Sequence, residues 1–185
     1  MSEKIDYKFI SELEGGSKVN GYVPAAVVSK SGVTIATGFD LGQRSESDLK
    51  KLKLDTTLIN KLKPYLGTKG LKAQELIKKK PLTITSLQAE AIDKAVKSEH
   101  VSQIKSKYDM ASGNTKKFLE LPPEAQTVIA SVSFQYGVGL NVRAPKFWKS
   151  VTTQDWKEAV AILKAFGDAY PTRRKKEAAL LEKAK

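Results

Sequence analysis

The stretch from Gly32 to Gln43, GVTIATGFDLGQ, decides the fold of this chain because it combines a β-branched run with evenly spaced polar residues. Such a run predicts a β-strand. Alternate residues of a regular strand share a face, so the spacing places Thr34 and Asp40 on the same side of the sheet. A bulge near Gly38 would break this alternation and bring Thr37 inward instead. The stretch therefore predicts a strand that presents a hydroxyl and a carboxylate together.

The segments before this stretch predict a helix and a second strand. KIDYKFISELE, residues 4–14, has apolar residues at helical spacing and is followed by Gly15 and Gly16, a usual end for a helix. YVPAAVV, residues 22–28, predicts another strand, and SKSG at residues 29–32 predicts the turn between the two. The chain thus begins with a helix and continues into a small antiparallel sheet of two or three strands.

The rest of the chain is predicted to be helical. SESD at Ser45 resembles a capping box, and a long helix begins with Thr85 as N-cap and Gln88 as its reciprocal partner. The expected buried side of that long helix comprises Leu87, Ala91, Ala95 and Val96. The segment from Val128 to Phe134 is apolar almost all round and predicts a central core helix. This order of elements indicates an α+β fold, mostly helical, in a single domain over residues 1–185.

Composition excludes several kinds of site. The chain has no cysteine, which rules out disulfides, thiolate zinc sites and a cysteine nucleophile, and His100 is its one histidine. The net charge of +12 predicts attraction to polyanions such as nucleic acid, anionic lipid or an anionic cell envelope. No apolar run approaches the ~20 residues of a membrane span, and the first residues hold no signal-peptide core.

Glu14 and Asp40 form a candidate pair of catalytic carboxyl groups. A glycoside hydrolase uses one carboxyl group to donate a proton to the leaving oxygen and one carboxylate to activate water. Glu14 ends the first helix, where the partial negative charge disfavours an ionised carboxylate and suits the proton donor. Thr34 can orient the water. Two alternatives stay open, because Glu12 is a rival to Glu14 and an Asp before LGQ is often a cap or turn residue.

Five motifs follow one another along the chain. FISELEGG with GVTIATGFDLGQ comes first, followed by LTITSLQAEA, SVSFQYGVG, DWKEAVAIL and PTRRKKEAALL. Together they resemble the phage-type lysozymes, and especially the pesticin-like muramidase branch. In the best-known phage lysozymes the catalytic Asp precedes the Thr, whereas residues 15–36 of this chain contain no acidic residue. The role of Asp40 therefore follows the pesticin-like branch alone, which carries a Thr and an Asp six residues apart, as Thr34 and Asp40 are here.

The resemblance implies a two-lobed lysozyme-like fold. A small antiparallel β-sheet lobe would span about residues 17–75, and a larger helical lobe would combine residues 1–16 with residues 76–185. A long helix would link the lobes, with glycan bound between them. The implied reaction is hydrolysis of the β-1,4 bond between N-acetylmuramic acid and N-acetylglucosamine. Phage-type enzymes invert the anomeric centre, which requires carboxyl groups about 6.5–9.5 Å apart so that a water fits between them.

The resemblance also implies the residues of the site. Glu14 is the general acid, Asp40 is the base or water-holding carboxylate, and Thr34 is the third catalytic residue. The implied substrate-binding positions are Gln135, Thr37, Tyr136 and Arg173. The position of Arg173 in these enzymes lies near the catalytic glutamate. Neither a metal nor a cofactor is expected.

The implied partner is bacterial peptidoglycan, together with anionic envelope polymers. No nucleic-acid binding, stable membrane insertion or oligomer is expected. Without a signal peptide, the chain would be made in the host bacterial cytoplasm and reach the wall with a holin-type partner, as a phage endolysin does. The nearest alternative is an injected or secreted antibacterial effector of the same chemistry, released by a secretion-system route.

Two alternatives come from other functional classes. The positive charge permits a basic nucleic-acid-binding protein without enzymatic activity. The chain lacks an RNA-binding aromatic motif, zinc-ligand spacing and an arginine-rich recognition helix, which argues against that class. A lysozyme-fold binder that has lost catalysis is the other alternative, and intact Glu14, Thr34 and Asp40 argue against it.

Overall fold

The computed structural model describes residues 2–28 and 30–185, which are mostly helical and include one small sheet. The strands are β1 (Lys18–Tyr22), β2 (Thr34–Ala36) and β3 (Phe39–Asp40). The helices are α1 (Tyr7–Leu13), α2 (Glu46–Lys51), α3 (Thr56–Leu62), α4 (Gly70–Lys79), α5 (Ser86–Asp109), α6 (Pro123–Tyr136), α7 (Leu140–Arg143), α8 (Pro145–Thr152), α9 (Trp156–Lys164) and α10 (Pro171–Leu181). This arrangement confirms the predicted α+β class with a helical majority.

The chain divides into two compact units. The first, called here the sheet unit, comprises Tyr7–Lys97 and includes the sheet and α1 to α4. The second, called here the helical unit, comprises Ser98–Lys185 and the residues that precede Tyr7. Helix α5 contributes residues to both units. The boundaries of these units differ from those expected for the lobes, and the description as a single two-lobed domain stays a prediction.

The sheet is antiparallel, with its strands in the order β1-β2-β3. The stretch expected to form one strand forms both β2 and β3, because the chain reverses at Thr37 and Gly38. Gly38 has a φ of 75°, a conformation that glycine adopts without strain. Thr34 and Asp40 are direct partners across the two strands. Directly paired residues share a face of the sheet, so Thr34 and Asp40 lie on the same side, as predicted. The prediction that both belong to one continuous strand is wrong.

The residues before β2 differ from the prediction. β1 ends at Tyr22, and the second strand predicted at residues 22–28 instead forms turns after residue 23. Val27 and Val28 are exposed, so they contribute no buried surface to a sheet. The turn predicted in SKSG includes Ser29, which lies outside the described residues. The strand that pairs with β2 is instead β1, which precedes the predicted segment and begins at Lys18.

Helix α1 ends as predicted, at two glycines. The N–H of Gly15 donates to the Glu12 carbonyl, and the N–H of Gly16 donates to the Ser11 carbonyl. These are the two hydrogen bonds of a Schellman motif, and both glycines have positive φ, at 97° and 86°. Glu14 is therefore the C-cap residue of α1, directly before the chain reverses.

Two predicted helix starts in the sheet unit are confirmed. Ser45 and Asp48 form a capping box at the start of α2. Thr85 and Gln88 exchange hydrogen bonds at the start of α5. Each reciprocal pair satisfies two backbone N–H groups that a helix terminus would otherwise leave unpaired.

The buried side of α5 differs from the predicted one. Leu87 is 78% exposed and Val96 is also exposed. The buried residues of this stretch are Ala89, Ile92 and Asp93. The prediction assigned the apolar residues to the core and overlooked that the buried side of α5 carries a carboxylate.

Each unit has its own hydrophobic core. The core of the sheet unit comprises Val33, Ile35, Ala36, Phe39, Leu41, Leu49, Leu58, Ile59, Leu62, Tyr65, Ala73, Leu82, Ile84, Ala89 and Ile92. In the helical unit, α6 is buried without interruption over residues 125–133, which confirms the predicted central helix. The hairpin that carries Thr34 and Asp40 is thus fixed by the buried side chains of its own strands.

Candidate active site

Glu14 is held at the end of α1 by an ion pair with Lys97 of α5. Nζ of Lys97 donates to Oε2 of Glu14 at 2.9 Å. The Glu14 and Lys97 side chains are 22% and 15% exposed, so solvent screens this pair less than a fully exposed one. Lys97 therefore fixes the direction of the Glu14 side chain, and this partner was not predicted from the sequence.

One oxygen of Asp40 has a structural role. Oδ1 accepts from the backbone N–H of Gly32 at 2.9 Å and from that of Gly42 at 2.8 Å. The second bond caps a 3-10 turn at Leu41–Gln43, as expected for an Asp before LGQ. Oδ2 forms no hydrogen bond with any residue that the structure describes. The carboxylate is thus anchored through one oxygen, and the other remains available for chemistry.

The two amides that hold Asp40 belong to a tight backbone crossing. A Cβ atom on Gly32 would lie 2.4 Å from the Cα of Gly42 and 2.4 Å from the carbonyl oxygen of Thr68. Only glycine allows backbones to approach this closely. The crossing therefore fixes Asp40 through backbone atoms, which are less mobile than side chains.

Thr34 lies opposite Asp40 in the hairpin and is 3% exposed. The Cβ atoms of directly paired residues lie about 4.5–5.5 Å apart. The Thr34 hydroxyl donates to the Gly32 carbonyl at 3.2 Å, which uses its proton and leaves its oxygen able to accept. The structure therefore places a hydroxyl oxygen that can accept and an anchored carboxylate opposite each other in the hairpin.

Thr37, expected to bind substrate, is bonded to Asp93 of α5. The N–H of Thr37 donates to Oδ1 of Asp93 at 2.9 Å, and its hydroxyl donates to Oδ2 at 2.8 Å. The hydroxyl of Ser17 donates to the same Oδ2 at 2.8 Å. Thr37 therefore has a structural partner in the protein, and its contact with substrate stays a prediction.

A depression of about 360 Å³ lies beside these residues in the sheet unit. Its lining includes Glu12, Ser17, Glu90 and Asp93. Glu12, the rival to Glu14, thus lines a concave surface that also contains the carboxylates of Glu90 and Asp93. The position of Glu12 is therefore also compatible with a role as the acid, and the variants Glu12→Gln and Glu14→Gln distinguish the two glutamates.

The remaining predicted residues lie in the helical unit around Arg174, which is 1% exposed. Its guanidinium donates to Asp168 at 3.0 Å, and also to Glu177 and Gln135. The same group lies 5.6 Å from the ring centroid of Tyr136, whose hydroxyl donates to Asp168 at 2.8 Å. Gln135 and Tyr136 are therefore half-buried members of a network around the buried Arg174, and their contact with substrate stays a prediction.

Arg173 belongs to the same network through Glu177. Its Nε donates to Glu177 at 3.1 Å, and its Nη2 donates to the carbonyl and the hydroxyl of Ser131, both at 3.0 Å. Glu177 is fully buried and is shared by both arginines. Because Arg173 and Glu14 belong to different units, the place of Arg173 beside Glu14 stays a prediction.

Burial, hydrogen bonds and charges around Arg174 together shift three pKa values. Burial alone would raise the pKa of Asp168, but hydrogen bonds from Tyr136, the Tyr170 backbone and Arg174 outweigh it and lower the pKa. Burial would likewise lower the pKa of Arg174, yet the charge of Glu177 and the bonds to its partners raise it. Burial, followed by the bond to Asp168, raises the pKa of Tyr136. The network thus favours a charged Asp168, a charged Arg174 and a neutral Tyr136.

In the part of the chain that the structure describes, no group of three or more His, Asp or Glu side chains is arranged to hold a metal ion. Over the same residues, no helix combines the length and apolarity needed to cross a membrane. The polar contacts of Glu14 include the ammonium group of Lys97, and those of Asp40 are the backbone amides of Gly32 and Gly42.

Asp93 and Lys97 were not predicted as partners of the site residues, although the sequence pattern of α5 could have indicated both. Asp93 follows Ala89 by four residues and Ile92 by one, so it lies within the buried stripe of α5. A charged residue inside such a stripe indicates a carboxylate with several donors, since a buried charge without partners is costly. Lys97 follows Asp93 by four residues and lies on the same helix face. Arg174 could not be singled out, because PTRRKK contains four adjacent cations.

A comparison with protein families gives one match. The family model described as "Pesticin: Bacterial toxin homologue of phage lysozyme, C-term" matches residues 4–157. The match begins just before α1 and ends at the start of α9, so it includes Glu14, the hairpin and α5. No curated protein sequence matches the chain.

Proposed function

The chain belongs to this pesticin family of phage-lysozyme homologues, and from that membership we propose that it is a muramidase. The family indicates a lysozyme-type peptidoglycan hydrolase, which is a glycoside hydrolase. The proposed bond is the β-1,4 linkage between N-acetylmuramic acid and N-acetylglucosamine. One observation supports the proposal most: Thr34 and Asp40 face each other across the hairpin, and Oδ2 of Asp40 has no hydrogen bond to residues 2–28 or 30–185.

Asp40 is the base in the proposed reaction. Its Oδ1 is fixed by the amides of Gly32 and Gly42, so Oδ2 keeps a constant position. A water that donates to Oδ2 and to the Thr34 hydroxyl oxygen is oriented for attack on the anomeric carbon. As the new C–O bond forms, the proton of this water passes to Oδ2.

Glu14 is the acid in the proposed reaction. It delivers its proton to the glycosidic oxygen as the bond to the leaving sugar breaks. A protonated carboxyl group still has an oxygen that accepts a hydrogen bond, so Lys97 can hold the side chain during this step. After release of the products, Asp40 returns its proton to solvent and Glu14 takes one up.

The proposed displacement inverts the anomeric configuration, because a single attack by water replaces the leaving group. It requires the two carboxyl groups to lie about 6.5–9.5 Å apart, with the water between them. NMR of the first products tests this step: an α-anomer at the new reducing end supports it. A β-anomer would instead indicate a double displacement and contradict the role given to Asp40.

Fragment analysis of digested peptidoglycan by mass spectrometry tests the bond. New reducing ends on N-acetylmuramic acid support the proposal, and new reducing ends on N-acetylglucosamine contradict it. Glu14→Gln removes the acid proton with little change of shape, and the rate should fall about 10²–10⁴-fold. Glu12→Gln is the matched control, and it should keep the parent rate. The opposite pattern would assign the acid to Glu12.

The proposed biological role is that of a phage endolysin that acts as a monomer on the wall after release from the host cytoplasm. The charge of +12 suits an anionic envelope. Cells that make the chain alone should stay intact, and co-expression of a holin-type protein should lyse them. Lysis without such a partner would contradict this route.

A second candidate role is an injected or secreted antibacterial effector of the same chemistry. The words "bacterial toxin" in the description of the family favour it. An effector requires a cognate inhibitor to protect the cell that makes it, whereas an endolysin does not. Inhibition of purified enzyme by the product of a neighbouring gene would favour the effector, and DNA binding without any wall hydrolysis would exclude both roles.

A further inference from the structure

Asp93 is only 6% exposed and accepts three hydrogen bonds within the sheet unit. The hydroxyls of Ser17 and Thr37 both donate to its Oδ2 at 2.8 Å. The N–H of Thr37 donates to its Oδ1 at 2.9 Å. A buried carboxylate is costly unless several donors satisfy it, so removal of a donor weakens the whole arrangement.

The donors of Asp93 are close in sequence to the proposed acid and base. Ser17 follows Glu14 by three residues, and Thr37 precedes Asp40 by three residues. Oδ2 of Asp93 is shared by the two hydroxyls. This single oxygen therefore joins the segment after the acid to the hairpin that bears the base.

The segment after Glu14 is bonded to α1 through the N–H groups of Gly15 and Gly16, but these two glycines provide no side chain that packs against a neighbour. Gly15 and Gly16 have positive φ, and a Cβ on either would have no atom within 4 Å. In contrast, Asp93 belongs to α5, a helix of 24 residues. Lys97, one turn after Asp93, holds the Glu14 side chain itself. One face of α5 therefore contacts both the side chain of the proposed acid and the chain segment that follows it.

We propose that Asp93 is a positioning residue that sets the separation between Glu14 and Asp40. The inference rests on the proposed muramidase function. Because protein donors occupy both oxygens of Asp93, it acts through Ser17 and Thr37 rather than on the sugar. The separation between the two carboxyl groups must admit one water, so it has to be set accurately. A displacement of a reacting group by about 1 Å can lower the rate about 10²-fold.

The test removes the hydroxyls one at a time. Thr37→Val deletes a hydroxyl but keeps the shape of the side chain and the N–H bond to Asp93. Thr37→Ser keeps both bonds and is its matched control. Ser17→Ala deletes the other hydroxyl. For each variant, kcat and KM are measured on solubilised glycan strands, well below the measured Tm so that the protein is fully folded.

We expect kcat to fall about 10- to 100-fold in Thr37→Val and Ser17→Ala, with KM changed less than about twofold. Thr37→Ser should retain more of the parent kcat than Thr37→Val, because it keeps both hydrogen bonds to Asp93. The double variant should be little worse than either single variant, because either loss already breaks the shared bridge. A lower Tm with unchanged kcat in the folded protein would make the contact merely structural and overturn the inference. Fully multiplicative losses would also overturn it.

Failure of this inference is distinct from failure of the proposed function. If the parent chain does not hydrolyse glycan, the muramidase proposal fails and the inference falls with it. If the parent chain is active and the hydroxyl variants match it, only the inference fails. A crystal structure of Asp93→Asn provides a readout without activity: a longer Glu14–Asp40 separation supports the inference, and an unchanged separation contradicts it.

Discussion

Substitution of Asp40 can separate the structural role of one oxygen from the proposed chemical role of the other. Asp40→Asn keeps an acceptor at the position of Oδ1 for the N–H groups of Gly32 and Gly42. It places an uncharged NH2 group where Oδ2 was, so the base is lost. Asp40→Ala removes both the acceptor and the base. The two variants should therefore agree in activity and differ in stability.

The difference in stability follows from the two hydrogen bonds. A hydrogen bond to a charged acceptor contributes about 1.5–3 kcal/mol and a neutral one about 0.5–1.5 kcal/mol. Asp40→Asn should therefore lower the free energy of unfolding by about 2–3 kcal/mol. Asp40→Ala loses both bonds, a cost of about 3–6 kcal/mol. For a chain of this length, each kcal/mol lowers Tm by roughly 2–4 °C, so thermal unfolding resolves the two variants.

Activity should fall in both variants. Loss of a general base typically costs about 10²–10⁴-fold in rate, which turbidity loss of purified cell walls can measure. Asp55→Asn is a matched control in the same unit, because Asp55 caps α3 by accepting from the N–H of Leu58 at 2.9 Å. That variant should lose at most about 1 kcal/mol of stability, because Asn caps helices nearly as well as Asp, and it should keep the parent rate of hydrolysis.

The two roles of Asp40 can be refuted separately. Parent-like hydrolysis by folded Asp40→Asn would show that Asp40 is not the base. Equal destabilisation by Asp40→Asn and Asp40→Ala would show that the bonds to Oδ1 do not anchor the turn. A loss of activity in Asp55→Asn would show that stability, rather than the base, limits the assay.

Three further predictions concern other contacts. Lys97→Met should lower kcat about tenfold by removing one contact that positions Glu14, while Lys97→Arg keeps most of the parent kcat. Equal kcat values in the two variants would contradict the holding role. Gly32→Ala should cost more than about 3 kcal/mol by its clash with the crossing backbone, against about 1 kcal/mol for Gly38→Ala in open space, and chemical denaturation of both tests this order. Burial raises the pKa of Tyr108 to about 12, so the neutral phenol contributes stability below pH ~10 that is lost as the pH rises towards 12. Unfolding measured across this range should lose that slope in Tyr108→Phe, and a slope unchanged by the substitution would contradict it.

Local patterns predicted where elements begin and end. The glycines after Glu14 stop α1, and the cap residues Ser45 and Thr85 start α2 and α5, because each acts within a few residues of itself. The hairpin was harder, since T-G-F-D fits both a continuous strand and a reversal. In the structure the chain reverses, with Gly38 at positive φ. This reversal requires β3 to pair with β2, which the local sequence does not determine.

Contacts between distant segments could not be predicted in this way. Asp93 binds Ser17 and Thr37, which lie 76 and 56 residues away in the chain. Arg174 binds Gln135, 39 residues away, and nothing distinguishes it from the cations beside it. Such pairings are set by the packing of whole helices, so the sequence predicts the candidate acid and base but not the residues that hold them.

The acid and the base are held by different means, and this difference suits the proposed reaction. Asp40 is fixed by backbone amides at a glycine crossing, and in the proposed reaction this anchoring would give the attacking water one position before the bond breaks. Glu14 is held by the flexible side chain of Lys97, which can follow the carboxyl group as it moves with the departing sugar oxygen. A fixed base suits an attacking water that must be positioned before the reaction. A mobile acid suits a leaving oxygen that moves as the glycosidic bond breaks. A crystal structure with a bound glycan fragment tests this division: Asp40 should be unmoved and Glu14 shifted, and the reverse displacement would contradict it.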